Sequence, residues 1–160
     1  MKIGVLSDTH DYLDRRILEL FQGVDHILHA GDVGMQIIVF ELAQIAPTTA
    51  VLGNTDLGNP LKLTEIVQLG DLTFLVHHIV NPFAPDEKLA HRLAAVRPDV
   101  VVFGHTHKEF NQVINGVRFF NPGYAGKPKH GTPRSVAILH CQGKEIRPEY
   151  FRLPADLPAE

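Results

Sequence analysis

Apolar residues follow two rhythms along this chain. In the first third, short apolar runs alternate with stretches where apolar residues recur every three or four positions. Residues 3–6 form the first run. Leu13, Ile17, Leu20 and Phe21 then mark one face of a helix that Gly23 ends. Residues 26–29 predict a second strand. Ile38, Leu42 and Ile45 predict a second helix stopped ahead of Pro47, and residues 48–52 predict a third strand. Strand, helix, strand, helix, strand is the pattern of a parallel α/β sheet. Further on, residues 62–69 predict a strand, Gly70-Asp71 a turn, and residues 72–76 a firm strand ending at His77-His78. Leu89, Leu93 and Val96 give the apolar face of a helix whose first turn carries Asp86 and Glu87, and Arg97-Pro98 breaks it. Residues 100–103 are all apolar and predict a buried parallel strand. Helical spacing stops there. Residues 110–114, 117–120, 135–141 and 145–153 predict antiparallel strands, joined by turns at Asn115-Gly116 and Gln142-Gly143. The polar end, residues 154–160, is expected to fray.

Length and composition change this picture little. The chain has 160 residues, which suits a single domain over residues 1–160. A net charge of -3 argues against a general nucleic-acid binder without closing off a nucleic-acid substrate. Cys141 is the sole cysteine, so no intrachain disulfide can form, and a reducing, cytoplasmic compartment is expected. Residues 1–2 lead straight into a strand, so no signal peptide is expected. No apolar run is long enough for a bilayer, and no membrane partner is expected. Association between copies stays open. Histidine is the departure, with ten residues, several of them at strand ends.

Those strand ends carry the candidate chemistry: Asp8 and His10, Asp32, Asn54, His77, then His105 and His107. In an open α/β sheet the carboxyl ends of parallel strands face a common crevice, where ligands bind. His105 and His107 share a face of an extended segment after Gly104, and neutral imidazole is the commonest metal ligand. Each residue has a plainer reading. Asp8 and Asp32 precede helices and could cap them; Asn54 could simply close a turn. Seven oxygen and nitrogen donors in one crevice favour metal binding instead. They are too many for one catalytic ion with open positions and suit two ions sharing a carboxylate. Mixed imidazole, carboxylate and amide ligation suits manganese first, with iron, zinc, cobalt or nickel as alternatives.

In order, the motifs are Asp8-Thr9-His10, Gly31-Asp32, Gly53-Asn54, His77 and Gly104-His105-Thr106-His107, followed by Asn121-Pro122-Gly123. This set resembles the calcineurin-like metallophosphoesterase superfamily, in particular its small, capless bacterial and archaeal phosphodiesterases. The resemblance implies a four-layer α/β/β/α sandwich of two mixed sheets flanked by helices. It implies two divalent ions per chain: Asp8, His10, Asp32 and His107 on the first, Asp32, Asn54, His77 and His105 on the second, with Asp32 bridging. Two such ions about 3.5–4 Å apart would activate a bridging hydroxide for attack on phosphorus, with a small phosphodiester as the expected substrate.

Two positions depart from the family pattern. Thr55 stands where larger phosphatases of the superfamily place a histidine that can act as general acid. His78 stands where a glycine usually follows the lone histidine. Strand alternation selects His77 as the ligand, two residues after Leu75, and leaves His78 to face away or reach toward substrate. Asn54, His77 and His78 are therefore the expected catalytic side chains. A phosphomonoesterase, or a nucleotide or nuclease-type hydrolase, is the alternative on the same site. A metal-stabilised protein-binding scaffold is the alternative of another class. Among the other polar residues, His26, His91 and His140 are expected to be surface or structural. A structural role is expected for His29, and Asp56 either orients an imidazole or closes a turn. The basic stretch over residues 126–134, with Lys127, Lys129, His130 and Arg134, is by default a solvated loop and otherwise a phosphate contact.

Overall fold

A computed structural model describes residues 1–156. The expectation of a frayed end lies outside the described residues from residue 157 on. Ten strands and three α-helices run in the order β1 (Lys2–Leu6), α1 (Arg15–Leu20), β2 (His26–His29), α2 (Ile37–Ala43), β3 (Thr48–Ala50), β4 (Thr64–Leu69), β5 (Leu72–His77), α3 (Glu87–Val96), β6 (Val100–Val102), β7 (Phe110–Ile114), β8 (Val117–Asn121), β9 (Arg134–Gln142) and β10 (Glu145–Leu153). They form two five-stranded sheets, ordered β10-β9-β1-β2-β3 and β4-β5-β6-β8-β7. Each sheet is mixed. In the first, the parallel run β1-β2-β3 is bordered on one side by antiparallel β9, which pairs in turn with β10; in the second, the parallel run β5-β6-β8 lies between antiparallel edge strands β4 and β7.

Side-chain alternation makes the layers. Ile3, Val5 and Leu28 of the first sheet meet Leu72, Phe74, Val76, Val100 and Val102 of the second in a buried core between the sheets. Leu6, Ile27 and Ala50 point the other way, onto Ile17 of α1 and Ile38 and Leu42 of α2. Leu75 and Val101 point outward from the second sheet onto Leu89 of α3. Three apolar interfaces separate four layers, the expected α/β/β/α sandwich.

The antiparallel returns follow their turn chemistry. Ile114 pairs with Val117 across Asn115-Gly116, both with positive φ, as a tight two-residue hairpin requires. In the last hairpin Gln142 pairs with Glu145, so the loop is Gly143-Lys144, one residue later than expected from sequence. Gly143 at φ 59° takes the first loop position, where a left-handed backbone is needed. Among the described residues, no helix is long and apolar enough to cross a membrane.

Candidate metal centre

The carboxyl ends of both parallel cores open at the same edge of the sandwich, and the two sheets bring different chemistry to it. The first sheet supplies Asp8 and His10 after β1, Asp32 after β2 and Asn54 after β3. The second supplies His78 at the end of β5, and His105 and His107 after β6. Two groups form: Asp8, His10 and His107, and Asp32, His78 and His105. Within each, one ligand atom from every residue lies within 4.8 Å of the others. Asn54 joins the second group, its Oδ1 3.0 Å from His105 Nδ1.

His78, not His77, enters the site, which corrects the expectation from sequence. The crevice lies above the core between the sheets, so its side chain must share the facing of Phe74 and Val76. His78 follows Val76 by two and does so; His77 follows Leu75 onto the α3 side. There His77 Nδ1 lies 2.8 Å from Thr64 Oγ1, and burial lowers the pKa of its imidazole. His78 is buried, with Nδ1 2.7 Å from the Ala30 carbonyl and Nε2 3.1 Å from Asp32 Oδ2. A carbonyl only accepts, so Nδ1 carries a proton, and Nε2 is the atom turned toward the Asp32 carboxylate. With its Nδ1 proton committed to the Ala30 carbonyl and Nε2 unpartnered among the cluster's ligand atoms, His78 is placed as a ligand rather than as the proton donor that its position in sequence allowed.

Each acid divides its oxygens between backbone and cluster. Asp8 Oδ2 accepts the His105 amide at 3.1 Å, while Oδ1 lies 3.3 Å from His107 Nε2, 3.6 Å from His10 Nε2 and 3.8 Å from His78 Nε2. Asp32 Oδ1 accepts the Thr55 amide at 2.9 Å, leaving Oδ2 3.6 Å from His10 Nε2 and beside His78 Nε2. Asp8 Oδ1, His10 Nε2 and His78 Nε2 are buried and have no hydrogen-bond partner. Orphaned buried polar atoms are costly, and three of them converging is what a cation between them would satisfy. The donor set therefore fits divalent metal. Burial would raise the Asp8 carboxyl, but the His10 contact and the neighbouring His78, Ser7 and His107 groups hold it below its ordinary value. The same contact with Asp8 raises His10, whereas burial lowers His107.

The backbone around these ligands is strained and tightly apposed. Asp8, His10, Asp32, His105 and His107 all have φ between 45° and 70°, a region costing non-glycine residues about 1–3 kcal/mol each. Gly104 serves by its lack of a side chain, not by a positive φ: a Cβ there would strike Ser7 Oγ and Asp8 Oδ2. At Gly53 it would strike the backbone and carboxylate of Asp32.

Several supporting residues were not assigned these roles from sequence. Asn121, the first residue of the Asn121-Pro122-Gly123 motif, donates to the Gly104 carbonyl at 3.1 Å and to Thr106 Oγ1 at 3.2 Å, bracing the His105–His107 loop. Among the described residues Asp56 makes no hydrogen bond to an imidazole; it accepts the amides of Val33, Gly34 and Gly53 and so clips the Asp32 loop to the Asn54 loop. Thr9 gives its hydroxyl proton to the Val33 carbonyl, so His29 Nε2 must donate to Thr9 Oγ1 while Nδ1 accepts the Gly31 amide. Burial holds His29 neutral, its pKa lowered to about 4. Tyr124, buried, stacks on His107 with ring centroids 4.7 Å apart. The Asn121-Pro122-Gly123 motif marked Asn121 without its role, and spacing does not record the contacts of the others, because their partners lie on other loops.

The calcineurin-like phosphoesterase superfamily domain model matches residues 1–144. The chain belongs to that superfamily. A probable metallophosphoesterase of Methanothermobacter thermautotrophicus is 31% identical over 97% of this chain and 94% of its own length. A phosphodiesterase of Methanocaldococcus jannaschii is 30% identical over 92% and 97%. A solved archaeal phosphodiesterase superposes with a TM-score of 0.77 at 26% identity, covering 94% of this chain and all of its own. Zinc-complexed Vps29 of Entamoeba histolytica superposes with a TM-score of 0.75 at 21% identity, over 98% of this chain and all of its own, a likeness of fold alone. Within the superfamily this chain is a hydrolase of phosphoesters, with its donors arranged for metal binding.

Proposed function

We propose that the protein is a phosphodiesterase with a dinuclear metal centre. Asp8, His10 and His107 hold one ion, Asn54, His78 and His105 hold the other, and Asp32 bridges them. The observation that carries this reading is Asp32 Oδ2, which faces His78 Nε2 of one group and His10 Nε2 of the other while Oδ1 is tied to the Thr55 amide. Divalent cations, when bound, supply Lewis acidity that activates water near neutral pH and neutralises charge on the phosphoryl oxygens. Manganese suits the mixed ligand set best, with iron, zinc, cobalt or nickel as alternatives.

The chain's own residues set the substrate class. Thr55, beside Asn54, has no proton to give near neutral pH, and the Nδ1 proton of buried His78 is committed to the Ala30 carbonyl. A monoester with a poor leaving group depends most on such a donor, whose help is typically worth ~10²–10⁴-fold. A diester with a phenolate leaving group depends on it less and brings less negative charge to Asp8 and Asp32. Under Mn²⁺, kcat/KM for bis(p-nitrophenyl) phosphate should exceed that for p-nitrophenyl phosphate, and EDTA should abolish both. A monoester preference would overturn the substrate class. Absence of turnover with Mn²⁺ bound would favour the scaffold reading.

A further inference from the structure

Beyond Gly123 the chain forms a basic loop fastened to the metal-centre residues. The Tyr124 ring, stacked on His107, lies 6.4 Å from His10, and its hydroxyl donates to the Lys127 carbonyl at 2.8 Å. Arg134 Nε donates to the Gly126 carbonyl at 2.6 Å, and the Thr132 amide donates to the Lys129 carbonyl at 3.1 Å, closing the loop. Two ammonium groups project from it onto aromatic faces: Lys129 Nζ lies 4.6 Å from the centre of the Tyr124 ring, and Lys127 Nζ lies 5.9 Å from that of Tyr12. Neither makes an ion pair among the described residues.

We propose that Lys129 is a specificity residue that receives a second phosphate of the substrate and so positions the scissile diester against the metal centre. This rests on the phosphodiesterase reading above. An exposed cation–π contact is worth about 0.5–1 kcal/mol and leaves the lysine charge unneutralised. Beside a site built for divalent cations, that charge is repelled unless an anion lies between. The scissile diester carries one negative charge, which the metal centre meets. Lys129 Nζ and the His107 ring both lie against the Tyr124 ring, 4.6 Å and 4.7 Å from its centre, and Lys127 adds a second positive charge on the same loop. That spacing suits a phosphate next to the scissile one, as in a nucleoside bisphosphate or a short nucleotide chain.

Thymidine 5′-(p-nitrophenyl phosphate) and its 3′-phosphorylated form share a leaving group and scissile diester and differ by one phosphate. With Mn²⁺, the protein should hydrolyse the 3′-phosphorylated form with kcat/KM about tenfold higher, the gain residing in KM, as one charge-assisted contact provides. Lys129→Met keeps the apolar stem on Tyr124 and should erase the preference. Lys129→Arg should restore it, and Lys88→Met, on α3, should leave it intact. Calorimetry gives the same comparison without turnover: Lys129→Met should weaken thymidine 3′,5′-bisphosphate about tenfold on the manganese-loaded protein and affect thymidine 5′-phosphate far less. Equal kcat/KM for the two esters, or a preference that survives Lys129→Met, overturns the proposal and leaves the phosphodiesterase reading standing. Failure to hydrolyse either ester overturns that reading, and the binding comparison then decides the role of Lys129.

Discussion

A one-residue step at the end of β5 separates two histidines with unlike roles. His78 turns Nε2 toward Asp32 and commits its Nδ1 proton to the Ala30 carbonyl; His77 lies across the sheet beside Thr64. His78→Ala should remove one metal equivalent and most activity, since loss of a ligand leaves Asp32 Oδ2 without its closest partner in the site. His77→Ala should retain both equivalents and change stability by about 1 kcal/mol, the scale of one hydrogen bond. Metal content by atomic emission, read beside activity, checks both. Full metal content in His78→Ala would show that the cluster binds without it.

At the scale of elements, the loops are held by carboxylates remote from the chemistry. Asp14 caps α1 through the Arg16 amide and pairs with the side chains of Arg16 and Arg134, while Arg134 also holds the Gly126 and Pro154 carbonyls. Burial alone would raise the Asp14 carboxyl, but the hydrogen bonds from Arg16 and Arg134 bring it down to about 2 from 3.8. A carboxyl lowered on folding contributes stability above its unfolded pKa and loses it as pH falls through the folded one. Asp14→Ala should therefore cost about 3–5 kcal/mol at neutral pH, because it strands the buried Arg134 guanidinium. The difference from the parent should shrink between about pH 4 and pH 2. Urea unfolding at pH 7 and pH 3 measures this; an unchanged difference would place the effect in helix capping alone.

The whole molecule closes two sheets over an apolar core and leaves orphaned donors, like-charged acids and strained backbone at one edge. Cations that bind there should stabilise the fold. At a hundred times Kd, one site contributes about 2.7 kcal/mol, which for a chain of this size is a rise in Tm of about 5–10 °C. Scanning calorimetry with MnCl2 against EDTA should show it, and His78→Ala should diminish it. No rise with manganese would mean that the donors do not hold a cation in the folded state.

The chain alone determined the elements and most of the donor set. Apolar period separated strands from helices, the stop signals at Gly23, Pro47 and Arg97 fell at or a few residues past the helix ends at Leu20, Ala43 and Val96, and Asp8, His10, Asp32, Asn54, His105 and His107 stood out at predicted strand ends because side chains just past a parallel strand have few other places to go. Alternation along β5 was equally visible, yet it says only that His77 and His78 face opposite ways. Which face borders the crevice depends on how the two sheets pack, and the tertiary structure decided for the side of Phe74 and Val76. The same holds for Tyr124 on His107, Asp56 across two loops, His29 on Thr9 and Arg134 on Asp14. Each pairs residues brought together from separate loops or strands, and such contacts have no local period or spacing to record them.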